Sequence, residues 1–172
     1  SEQYFQTALD SDLLSNKQEV EGKSLLAWAL YFQGKKRQAR TDFQTLMTST
    51  LDDESKAKMT YQLAIDAYKT QNYRKALKWF QDILEKWPYE AYKQKSIFWK
   101  AESLFLMFQK NPESLTHEEK NEAIKLFSLN LNAGYPIDPE NSHYHRGWLR
   151  LDLQMEDDAE QDFGWLQKNS PL

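Results

Sequence analysis

Residues 59–88 read MTYQLAIDAYKTQNYRKALKWFQDILEKWP, and the spacing of their apolar residues decides the fold. Two amphipathic stretches of helical period flank the polar triplet Thr70-Gln71-Asn72, which predicts two helices folded back on each other through a short turn. Pro88 closes the second stretch, because proline cannot supply the amide that a continuing helix requires. The unit is therefore one helical hairpin. A hairpin this small cannot bury its own apolar face, so it implies neighbours built the same way.

Those neighbours are visible in the chain. Ala76 marks a point where two helices must cross closely, and Phe80 follows it by four residues. The same Ala-x-x-x-Phe pair recurs as Ala39 with Phe43, Ala123 with Phe127, and Ala159 with Phe163. The intervals between the alanines are 37, 47 and 36 residues, so one unit carries an insertion of about ten residues relative to the others. The insertion falls at residues 110–117, between expected helices at 96–109 and 118–131. Pro112 stops the first of these, and Thr116 with Glu119 forms a capping box that starts the second. Further on, Asn132-Ala133-Gly134-Tyr135-Pro136 predicts a stop through a glycine C-cap followed by proline.

In residues 59–88, Leu63, Ala64, Tyr68, Tyr73, Ala76, Leu77, Phe80, Leu84 and Pro88 fall on the signature positions of the tetratricopeptide (TPR) repeat, and the chain resembles that family over most of its length. The resemblance implies an all-α fold, a right-handed α-solenoid of antiparallel helix-turn-helix repeats forming a single domain over 1–172. The expected repeats are 20–51, 57–88, 94–135 with the insertion, and 140–171. Residues 1–15, with Tyr4, Phe5, Ala8 and Leu9, read as a partial repeat or a capping helix, and Pro171 has no solvating helix after it; both ends suggest a fragment of a larger bacterial protein. In the fourth repeat Gly147, Ala159, Phe163, Leu166 and Pro171 match, whereas Arg146 and Arg150 stand where apolar core residues are expected. The wording of residues 80–104 is similar to TPR proteins of the bacterial envelope, which implies a periplasmic or cell-envelope location, with the cytoplasm as the alternative.

In this family the first helices of successive hairpins line a concave groove. Carried across, the groove positions hold Trp28, Tyr31 and Phe32; Tyr61, Ile65, Tyr68 and Lys69; Phe98, Glu102, Phe105 and Leu106; and Tyr144 and Trp148. The resemblance thus implies a protein-interaction scaffold that holds a protein or peptide in an aromatic-lined groove. The bland alternative is that these residues pack between neighbouring helices. TPR clamps that grip a C-terminal carboxylate use Lys and Asn, but here those places hold Ser24, Trp28, Tyr61, Ile65, Phe98 and Glu102, so apolar anchors are expected to do the reading. A second reading is a helical accessory domain of an envelope polysaccharide-export or peptidoglycan-processing machine, with Trp28, Tyr61 and Trp148 touching glycan. A third is a spacer that self-associates through its ends.

Composition bounds the rest. The 172 residues are 40% hydrophobic and 28% charged with 5 Gly and 5 Pro, which describes an ordered, helix-rich chain. A net charge of −4 provides no basic field for a phosphate backbone, so nucleic acid is not an expected partner. The basic residues Arg74, Lys75, Lys78, Lys93, Lys95 and Lys100 are interrupted by Asp82, Glu85 and Glu90 and read as solvated helix faces. The longest apolar runs, 25–32 and 104–108, are far below the roughly 18 residues that cross a bilayer. Zero cysteines exclude disulfides and thiolate metal sites.

No enzyme, cofactor or metal site is expected. Gly22, Gly34, Gly134, Gly147 and Gly164 form no phosphate loop. On a helix, His143 and His145 point apart, and His117 reads as surface. The clusters Asp52-Asp53-Glu54 and Glu156-Asp157-Asp158 sit at expected helix starts, where negative charge complements the dipole. Glu102 is read as a lone carboxylate among aromatics, a setting that raises a pKa, and as a specificity residue rather than a catalyst.

Overall fold

The computed structural model of the protein describes residues 15–170, and the expectations for residues 1–14 and Pro171 lie outside them. The described chain forms eight α-helices: α1 Asn16–Phe32, α2 Lys36–Leu46, α3 Asp53–Lys69, α4 Tyr73–Lys86, α5 Glu90–Lys110, α6 His117–Leu131, α7 Pro139–Asp152 and α8 Glu156–Asn169. A single 3-10 turn, Pro112–Ser114, lies between α5 and α6, and no strand occurs among the described residues. Consecutive helices pair as hairpins, and each hairpin packs on the next, giving an all-α solenoid.

Three of the four hairpins share one turn. In each, the residue after the C-cap adopts a left-handed backbone: Gly34 at φ 85°, Gln71 at φ 58° and Gln154 at φ 60°. Around it the amide of Lys35 donates to Leu30, that of Asn72 to Ala67, and that of Met155 to Arg150, each between 2.8 and 3.0 Å. These are the long-range bonds of a Schellman turn, which satisfies carbonyls the helix end leaves free. The left-handed position falls five residues before Ala39, Ala76 and Ala159, so turn and crossing point keep a fixed register.

That register sets the core. Ala27 shares a buried cluster with Phe43, Ala64 with Phe80, and Ala101 with Phe127. In the last hairpin Gly147 takes the place of the small residue, with the Phe163 ring directly over it. Phe43, Phe80 and Phe127 are fully buried, each contributing about 2–3 kcal/mol of apolar transfer energy.

Helix starts follow local chemistry. Thr116 and Glu119 make the expected capping box, a second is made by Ser15 and Gln18, and Asp52 accepts from the Ser55 amide at 2.8 Å. Hydrogen bonds from Ser55 hold the Asp52 carboxyl below its usual range. Two expectations differ. The helix expected from residue 96 begins at Glu90, because Tyr89, in an extended conformation, serves as its N-cap directly after Pro88. The stop after α6 is made at Asn132, in an ordinary right-handed conformation, and Gly134 is not left-handed.

Candidate partner-binding surface

The expected groove residues separate into three environments. On α1 and α3, Trp28, Tyr31, Tyr61, Ile65 and Tyr68 are partly exposed, Lys69 is exposed, and Phe32 is 78% exposed. Trp28 stacks on Phe32 at 5.9 Å and meets Tyr31 at 6.0 Å, so α1 carries a contiguous aromatic patch. Tyr61 contacts Tyr92 at 5.4 Å and Tyr68 contacts Trp99 at 4.9 Å, which extends aromatic surface across to α5.

In the third hairpin the expectation is corrected. Phe98, Glu102 and Phe105 are 4%, 6% and 2% exposed and offer no surface to a partner, while Leu106 is partly exposed. For Glu102 and Phe105 the reason is the fourth hairpin. His145 stacks on Phe105 at 3.8 Å, and its Nδ1 hydrogen-bonds Glu102 at 2.6 Å. Glu102 is therefore half of a buried inter-hairpin pair, and not a lone carboxylate. On α7, Tyr144 and Trp148 stand 43% and 44% exposed and touch each other at 6.2 Å.

Sequence reasoning missed Tyr92 and Trp99, which complete the α3–α5 aromatic surface. The available signal was the register. Trp99 lies 37 residues after Gln62, the side chain that faces Tyr31 across the first junction. Sequence reasoning also missed two buried polar centres. Asp66 accepts from Tyr31 Oη at 3.0 Å and Arg40 Nε at 2.9 Å, binding the first hairpin to the second. Burial, together with this bond to Asp66, pushes the Tyr31 phenol up to about 12. Burial likewise pushes the Tyr68 phenol up to about 12, with the Glu102 charge adding to it.

The second centre explains the two arginines of the fourth repeat. Asp162 is 1% exposed and accepts from Arg146, from Arg150 at 2.7 Å and from His143 Nδ1 at 2.7 Å. Burial pushes this carboxyl up, but the bonds from Arg146 and His143 and the charges of Arg146 and Arg150 outweigh it and hold Asp162 below the usual range. His143 stacks on Trp165 at 4.1 Å, so the two histidines of α7 serve different contacts. Lys100, expected on a solvated face, is instead 6% exposed and paired with Glu122.

Among the described residues no group of three or more His, Cys, Asp or Glu is placed to hold a metal ion. No described helix is long and apolar enough to cross a membrane. A cleft of about 390 Å³ lies beside α2, α3 and α4, lined by Arg40, Asp66, Lys75 and Trp79, but its Arg40 and Asp66 are already engaged with each other.

Fold and surface together define an all-α helical-repeat chain with aromatic clusters on its first helices. No protein-family model matches the sequence, and no curated protein matches it. Among solved structures, the chain is similar to "MamA RS-1 ArsTM double mutant", with a TM-score of 0.55 and 14% identity over 99% of this chain and 97% of that one. At that identity the likeness concerns the fold alone, an all-α array of helical hairpins.

Proposed function

We propose that this protein is a non-catalytic interaction scaffold that holds an extended or helical protein segment across the first helices of its first two hairpins. Phe32 carries the reading. A phenylalanine 78% exposed and stacked on Trp28 contributes little to the fold, yet it gives a partner a rigid aromatic anchor. Tyr31, Tyr61, Ile65 and Tyr68 continue the surface, and Lys69 is an exposed cation beside it. Phe98, Glu102 and Phe105 have no part in binding. The cell-envelope placement is proposed on the wording of residues 80–104 alone.

Selection of a displayed peptide library on the folded protein tests the reading. Enriched peptides should carry apolar or aromatic anchors and lose about tenfold in affinity, roughly 1.4 kcal/mol, on Phe32→Ser, with helical content unchanged. Peptides that bind wild-type and Phe32→Ser equally would remove the α1 patch as the binding surface.

A further inference from the structure

At two of the three junctions between hairpins, a cation on a first helix bridges the second helices on either side of it. Lys100 of α5, the residue before Ala101, bonds Gln81 of α4 and Glu122 of α6. Arg146 of α7, the residue before Gly147, donates to Ser128 of α6 at 2.8 Å and to Asp162 of α8 at 2.6 Å. The flanking second helices make no close backbone approach to each other, so the charged side chain fills the space between them.

The same positions at the first junction carry a different charge pattern. The residue before Ala64 is Leu63, which has no charge to offer. Gln44 of α2 stands where Gln81 does, five residues after the marker alanine, and Lys75 of α4 stands where Glu122 does, one residue before it. The cleft of about 390 Å³ lies at this place, and Gln44, Leu63 and Lys75 all line it. A cation meets a carboxylate at the second junction; here the carboxylate position is itself a cation and the space beside it is open.

The walls of the cleft supply donors in excess. Arg40 gives only its Nε to Asp66, which leaves both Nη groups without a partner among the described residues. The Lys75 ammonium and the Gln44 amide make no bond there either, and Trp79 Nε1 is buried in the wall without an acceptor. Asn72, the N-cap of α4, also lines the cleft, so the positive end of that helix dipole opens onto it. Among the described residues Asp66 is the one carboxylate in the wall, and it already accepts from Tyr31, Arg40 and Gln62. Two cations against one carboxylate leave one positive charge unbalanced. We propose that this cleft binds a carboxylate group of a small organic acid or of an acidic peptide side chain, held by the Nη groups of Arg40 and the ammonium of Lys75. One carboxylate matches the unbalanced charge, and the guanidinium fork fits its two oxygens, whereas a phosphate dianion brings one charge too many. The site lies on the second helices and does not rest on the reading of the α1 surface.

NMR titration of the folded, isotope-labelled protein tests the site, with glutarate as one ligand and a terminally blocked Gly-Glu-Gly peptide as the other. Saturable shifts are expected at the Trp79 indole and at the amides of residues 72–75. Lys75→Glu should weaken binding about tenfold. Lys78→Glu makes the same change in net charge at an exposed position of α4 outside the cleft, and it should bind like wild-type. Lys75 is exposed as well, so circular dichroism should not change in either variant. Tighter binding of the peptide would assign the carboxylate to a protein side chain, and tighter binding of glutarate to a small acid. Absence of saturable shifts with both ligands, or equal weakening by Lys75→Glu and Lys78→Glu, would overturn the proposal. So would inorganic phosphate that binds more tightly than either ligand, since the cleft would then select charge and not the carboxylate.

Discussion

At the scale of single residues, two positions carry strong expectations. A Cβ on Gly147 would stand 2.8 Å from the Phe163 ring, closer than real contacts allow, so Gly147→Ala must displace that ring. Overpacking of this kind costs about 1–3 kcal/mol, to be read from the urea midpoint. Asp162 is the second. Its folded carboxyl lies below the ordinary value, so its contribution is complete above the unfolded pKa of about 4 and is lost as pH falls through the lower folded value. Asp162→Asn should cost about 3–5 kcal/mol near neutrality, because two arginines lose their buried counter-charge. The variant should also show a shallower loss of stability below about pH 4 than wild-type. An acid limb as steep as that of wild-type would mean that other carboxylates dominate it. Arg146 and Arg150 departed from the expected repeat pattern in sequence, and only the position of Asp162 on the facing helix explains them.

At the scale of elements, turn chemistry can be separated from crowding. A Cβ added at Gly34 or at Gly134 would meet no atom within 4 Å, but only Gly34 is left-handed. Gly34→Ala should therefore lose about 1 kcal/mol through backbone strain, whereas Gly134→Ala should be neutral or gain up to about 1 kcal/mol. Equal losses in thermal unfolding would contradict the Schellman assignment at Gly34. What could be read ahead of the structure was local. The hairpin period of residues 59–88, the stop at Pro88, the Thr116–Glu119 capping box and the Ala-x-x-x-Phe crossings all depend on residues within a few positions of one another. The burial of Glu102 and Phe105 was not legible, because its cause, His145, lies 43 residues beyond Glu102 and reaches both only once α7 is docked. Glycine alone also misled at Gly134, since left-handed turns form at Gln71 and Gln154 without it.

At the scale of the molecule, a chain whose hairpins touch mainly their neighbours has stability that is nearly a sum of local and junction terms. The junctions are unequal. α4 packs extensively on α5, and α6 on α7, whereas the first hairpin meets the second through sparse backbone contact between α2 and α3. Side chains compensate there: Phe43, Leu46, Leu51, Met59 and Leu63 share one core, and Asp66 gathers Tyr31, Arg40 and Gln62. Removing the carboxylate leaves Arg40 and Tyr31 without their shared acceptor at the thinnest junction. Asp66→Ala should then let α1 and α2 open without the rest. Hydrogen exchange would show faster exchange in α1 and α2, with α5 through α8 as protected as in wild-type. A uniform rise across all helices would instead mean that the hairpins unfold as one cooperative body, and the aromatic surface on α1 would then be no more mobile than α7 and α8.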